Sequence, residues 1–162
     1  MLLLDIIVHW LHLLAAFTWV GGLIFVNVVL TPAVEPKGIP PQFVRLMGME
    51  RFRPFAWGSI IVVVLTGLYN TFKSVPTLAT LTGSQYGLTL LAKIAAVAVM
   101  IGITFMNSIV MRRRITQAPA GPGGTPPPEM QAMGGRLVIL SRANLALALL
   151  VLLLAAMLRY GV

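Results

Sequence analysis

Residues 9–32 read HWLHLLAAFTWVGGLIFVNVVLTP, and this stretch decides the fold because it is long enough to cross a bilayer and holds both histidines of the chain. Drawn at ~100° per residue, Asp5, His9, His12, Ala16, Trp19, Leu23 and Asn27 fall within roughly 40° of one line on the helix it predicts. The result is a polar-centred stripe on an otherwise apolar cylinder. An ionisable or strongly polar side chain in lipid is expensive unless it faces protein or a water-filled cavity, so the stripe is expected to point into a bundle. Gly21 and Gly22 lie off it, where they predict close backbone approach by another helix.

The rest of the chain has the composition such a helix demands. Of its 162 residues 58% are hydrophobic and 10% charged, and the mean hydropathy is +0.92; soluble domains carry about 25% charged residues. An integral membrane protein follows. The net charge of +8 raises nucleic acid as a partner, but the basic residues stand at the ends of apolar runs rather than in a patch mixed with aromatics. The expected partner is therefore the lipid bilayer, and no nucleic acid. The absence of cysteine excludes disulfides, iron–sulfur clusters, thiolate metal sites and c-type haem attachment. The first apolar run lacks a basic n-region and exceeds the length of a signal-peptide h-region, so it reads as a permanent span.

Four apolar runs, near residues 3–30, 55–72, 88–111 and 137–158, are each long enough for a hydrocarbon core of ~30 Å. They predict an all-α integral membrane protein: four transmembrane helices in an antiparallel bundle, forming a single domain over residues 1–162. Pro32, Pro36, Pro40 and Pro41 end the first helix, and the basic, mildly amphipathic QFVRLMGMERF that precedes Pro54 is expected along the interface. Residues 115–135 are rich in Pro and Gly and read as a flexible loop. Lys37, Arg45, Arg51 and Arg53 in the first connection and Arg112, Arg113, Arg114, Arg136 and Arg142 around the third stand against only Lys73 and Arg159 on the other side. That asymmetry predicts cytoplasmic first and third connections, both termini non-cytoplasmic, and a bacterial cytoplasmic (inner) membrane.

In this topology the start of the first helix, the end of the second and the start of the third share the outer leaflet. His9 and His12 then lie roughly 8 to 14 Å below the start of the first helix, at 1.5 Å per residue. Ser59, Thr66 and Asn70 share a face of the second helix, which brings Tyr69 and Asn70 to a similar depth. On the third, Tyr86, Thr89, Lys93, Met100, Thr104, Asn107 and Met111 form one line within about 40°. An outer cavity lined by His9, His12 and Lys93, with Tyr69, Asn70 and Tyr86 as neighbours, is the candidate binding site. His9, nearest the helix start, also fits a snorkelling role, and Met100 and Met111 also fit plain packing. Asn27, Asn107 and Asn144 fall at similar depth in the other half and are expected to hydrogen-bond helix to helix. No nucleophile–base–acid set, phosphate-cradling glycine loop or carboxylate pair is present, which argues against hydrolytic chemistry and leaves no catalytic residue to name.

The pattern H-x-L with W-V-G-G-L seven residues after His12, the stretch L-T-G-L-Y-N at residues 65–70, Q-Y-G-L-T-L-L-A-K at 85–93 and the later Asn107 resemble the CopD-type copper-resistance membrane proteins. A second, weaker likeness is to the HemJ-type protoporphyrinogen oxidases, four-helix membrane proteins associated with b-type haem. His12 seven residues before Trp19, the M-E-R at 49–51 and Lys93 match it. Their R-x-x-N-E-x-P signature is here Arg142, Ala143, Asn144, Leu145, without the glutamate or the proline, and the copper-resistance likeness leads.

The first resemblance implies a protein that captures or transports copper ions. His9 and His12, one turn apart, would take the ion at the outer mouth, Met100 and Met111 would pass it on, and Met47 and Met49 would meet it at the inner interface. A protonated Lys93 would repel that cation. The second implies haem b, with His12 or His9 as axial ligand and Lys93 as propionate partner or opposite ligand; any enzymatic activity would then be a haem-dependent oxidoreductase. Histidine occurs on the first helix alone, so a second axial ligand is Lys93, a methionine or a histidine from another subunit. That last option admits a homo-oligomer or larger membrane complex. A non-catalytic membrane subunit whose polar residues only join helices is the third reading.

Overall fold

A computed structural model of the chain describes residues 2–34, 41–74, 78–115 and 128–160, and all of the regular structure among them is helical. Helix α1 spans Leu2–Ile24, continues as a π-helical segment over Phe25–Leu30, and ends in the short α2, Thr31–Val34. Helix α3 covers Pro41–Ser74, α4 Leu78–Gly83, α5 Gln85–Ile115 and α6 Pro128–Arg159. Four stretches are long and apolar enough to cross a membrane: Leu2–Ala33, Arg53–Ser74, Gln85–Ser108 and Val138–Arg159. Their outward faces carry large exposed apolar side chains such as Phe17, Ile61, Val99 and Leu153, the surface a hydrocarbon solvent requires.

The helices are longer than the spans. At 1.5 Å per residue, α3 with its 34 residues reaches about 51 Å, against a hydrocarbon core of about 30 Å. Its first part therefore extends beyond the apolar layer. Pro54 was expected to separate an interfacial segment from the second span, yet it lies inside α3. Its missing N–H removes one backbone hydrogen bond, but the residues on both sides remain helical. The fourth helix likewise starts at Pro128, where a first helical position tolerates proline, rather than near residue 137. Of the expected flexible loop, residues 116–127 lie outside the described part of the chain, as do residues 35–40.

The π-helical segment is closed at Thr31 by two bonds to one carbonyl. The backbone N–H of Thr31 bonds the carbonyl of Val26, five residues back, and the Thr31 hydroxyl donates to the same oxygen at 2.6 Å. Pro32, next in the chain, has no N–H with which to restore the regular ladder. Widening the turn splits the polar stripe read from the sequence. Its first part, Asp5 and His12, meets α3, whereas Asn27 accepts a hydrogen bond from Ser141 of α6 at 3.0 Å.

Between these polar levels lies an apolar layer to which all four long helices contribute: Trp19 and Val20 from α1, Ile60 from α3, Met100 from α5 and Ala148 from α6. Trp57 of α3 meets Phe105 of α5 edge to face, with ring centroids 6.1 Å apart. Helix α1 packs mainly on α3, and α5 on α6. Gly21 is not a close-approach point, since a Cβ there would have nothing within 4 Å. The close approach occurs instead at Gly67 on α3.

Candidate functional site

His12 is half-buried, and its Nδ1 lies 2.8 Å from the Thr66 hydroxyl. The direction of that bond follows from what else Thr66 does. Its Oγ1 is 2.5 Å from the Val62 carbonyl oxygen, a distance two oxygens tolerate only with a proton between them. A threonine hydroxyl has a single proton, so it donates to Val62 and accepts from the ring. In the neutral ring this assigns the proton to Nδ1 and the lone pair to Nε2. Gly67, the next residue on α3, leaves room for the ring: a Cβ there would stand 3.3 Å from Cε1 of His12.

Higher on the same pair of helices, Asp5 is held at both carboxylate oxygens. Tyr69 donates its hydroxyl to Oδ1 at 2.7 Å and the Lys73 ammonium pairs with Oδ2. The ammonium also stands 5.8 Å from the Tyr69 ring centroid. The sequence pattern predicts Tyr69 beside the histidines and Lys73 as a loop charge; the structure engages both with Asp5. A signal was present. Asp5 and His12 are seven residues apart, and so are Thr66 and Lys73, so two facing helices in that register satisfy both pairs together. Thr66, seen only as part of a polar face, proves to be the residue that aims the imidazole.

The other candidates divide between this level and the core. Lys93 of α5 is half-buried and, with His9, lies within Coulombic reach of His12. His9 itself is exposed on the outer face of α1, while Asn70 and Tyr86 are half-buried. Met100, at 1% exposure, lies in the apolar layer rather than at the level of the histidine. The side chains of Met47, Met49 and Met111 fall outside the described residues. Among the described residues, no three His, Cys, Asp or Glu side chains gather as a metal cluster. The arrangement therefore offers one imidazole oriented by Thr66, a second one turn away on the exposed side of α1, and a half-buried amine on α5.

Four long apolar helices with a polar site between them define an integral membrane protein. More narrowly, the chain belongs to the copper resistance protein D family, whose pattern matches residues 46–158. The matched region contains Thr66, Tyr69, Lys73, Lys93 and Met100 and leaves out α1 with both histidines. The chain is also similar to the copper transport protein CutJ of Bacillus subtilis (strain 168), 26% identical over 110 residues, or 68% of this chain. It spans only 20% of that relative's length. No solved structure matches it significantly. Both names concern copper, and neither supports the haem or oxidoreductase reading.

Proposed function

We propose that the chain handles copper ions in the membrane, taking them up at His12 for capture or onward transport. The observation that carries this reading is the 2.8 Å contact between His12 Nδ1 and the Thr66 hydroxyl: with Nδ1–H given to Thr66, the neutral ring holds its Nε2 lone pair in a fixed direction for an ion. Imidazole suits both oxidation states of copper, and the second ring, His9, stands one turn away on the exposed side of α1, nearer the helix start. Lys93 gives the site its transient character. Its positive charge, when protonated, opposes a resident cation and shortens its stay. Met100 then offers a thioether at the centre of the bundle, a soft donor in an otherwise apolar layer. Asn70 and Tyr86, both half-buried, are the remaining candidates at this level, and Tyr69 holds Asp5 nearer the start of α1.

The same reading places the four spans as an antiparallel bundle, with both termini and the His12 level on the non-cytoplasmic side of a bacterial inner membrane. The support is the basic residues concentrated in the first and third connections.

Copper titration of the detergent-purified protein tests the proposal. Substituting His12→Ala is expected to abolish binding, and Thr66→Val to weaken it about 10-fold or more by releasing the ring, as loss of an outer-shell partner does. Thr66→Ser keeps the hydroxyl and retains binding. Unchanged affinity in His12→Ala would reject the site.

A further inference from the structure

A second polar level lies on the far side of the Met100 layer, where α6 packs on α5 and also touches the π-helical segment. Asn144 donates Nδ2–H to the Thr104 hydroxyl at 3.2 Å, and that hydroxyl donates in turn to the Met100 carbonyl at 2.8 Å. The Thr104 proton being used, the orientation of the Asn144 amide is determined: nitrogen toward Thr104, oxygen away. Asn107, one turn beyond Thr104 on α5, is buried to 9% exposure and Asn144 to 2%. The Oδ1 atoms of both are buried without a hydrogen-bond partner. Ser141, one turn before Asn144 on α6, is joined to Asn27 of the π-helical segment. An α-helical turn rises about 5 Å, so Asn107 lies about that far along α5 from the Thr104 to which Asn144 reaches across.

We infer that Asn107 and Asn144 line an internal hydration site, at which bound water donates hydrogen bonds to their two amide oxygens. The argument rests on polarity and charge. A buried carbonyl left unpaired is costly, and in a bundle surrounded by hydrocarbon no solvent is at hand to relieve it. The vacancy on Asn144 is an acceptor, so its occupant must donate, and water does this while serving either end of the Asn107 amide. Amide oxygens are hard ligands, which disfavours soft copper(I). No Asp or Glu side chain forms a cluster among the described residues, and a cation held by two neutral oxygens would be poorly compensated. Water supplies two donors without a charge, and polar partners of this number are what buried water requires.

This inference is independent of copper binding at His12. If both hold, the dry barrier between the imidazole and the hydrated level reduces to the layer of Met100, Trp19, Val20, Ile60 and Ala148.

The chain has only four asparagines, so selective ¹⁵N-asparagine labelling of the intact protein in nanodiscs gives four side-chain amide signals. Water cross-peaks are expected at the side chains of Asn107 and Asn144, and their absence from both would overturn the proposal. Thermal unfolding gives a second readout. Asn107→Leu removes one water ligand and is expected to leave the midpoint unchanged or lower it, whereas a rise would mean that a dry, unpaired oxygen had been relieved. A sodium-dependent rise in the wild-type midpoint that disappears in Asn107→Leu would assign the site to a hard cation instead and likewise overturn it.

Discussion

Gly67 and Gly21 form a matched pair for testing what orients His12. Both are helical glycines, so replacement by alanine brings the same gain in helix propensity, about 1 kcal/mol. A Cβ at Gly21 meets open space; one at Gly67 meets the His12 ring at 3.3 Å. Gly21→Ala is therefore expected to raise the thermal midpoint and leave copper binding intact. Gly67→Ala should gain less stability and lower copper affinity, because the ring must shift against its bond to Thr66. Equal behaviour of the two variants in unfolding and titration would show that Gly67 is not shaping the site. The importance of Gly67 was not legible in the chain: the Gly21–Gly22 pair is the more conspicuous small-residue signal, and only the pairing of α1 with α3 shows which glycine faces a ring.

At the scale of the element, the π-helical segment turns one stripe into two interfaces. If the missing N–H of Pro32 is its cause, Pro32→Ala restores a donor and lets Phe25–Leu30 rewind, carrying Asn27 away from Ser141. A double-mutant cycle between Asn27→Ala and Ser141→Ala should give a coupling of roughly 0.6 kcal/mol, typical of interhelical hydrogen bonds in membranes. In the Pro32→Ala background that coupling is expected to vanish; its persistence would assign the π turn to tertiary packing. The sequence marks Pro32 as a helix terminator, yet the helix continues through it to Val34, and the widened turn before it was not legible. A uniform rotation of ~100° per residue cannot represent a widened turn. The same limit explains Pro54, where the neighbours of the proline and not the proline alone decide whether a helix continues.

For the whole molecule, the charge asymmetry predicts the orientation. The chain contains no cysteine, so a single cysteine at position 123 is a clean reporter of the third connection. It should be shielded from impermeant thiol reagents in intact cells and labelled once the membrane is opened; ready labelling in intact cells would invert the topology. That the protein is helical and has four stretches able to span a membrane was readable from residue order alone. Apolar runs near the bilayer thickness, with charges kept to their ends, are a one-dimensional property. The inward line of the third span was readable too, since Met100 and Asn107 are buried and Lys93 half-buried on one helical face. Pairing across helices was decided only by the tertiary structure. Asp5 went to Lys73 and Tyr69, His12 to Thr66, Asn27 to Ser141 and Asn144 to Thr104, while Asn107 Oδ1 was left without a protein partner. Helical periodicity specifies which face of a helix a side chain occupies, but the partner depends on the rotation and register of the facing helix, which packing determines.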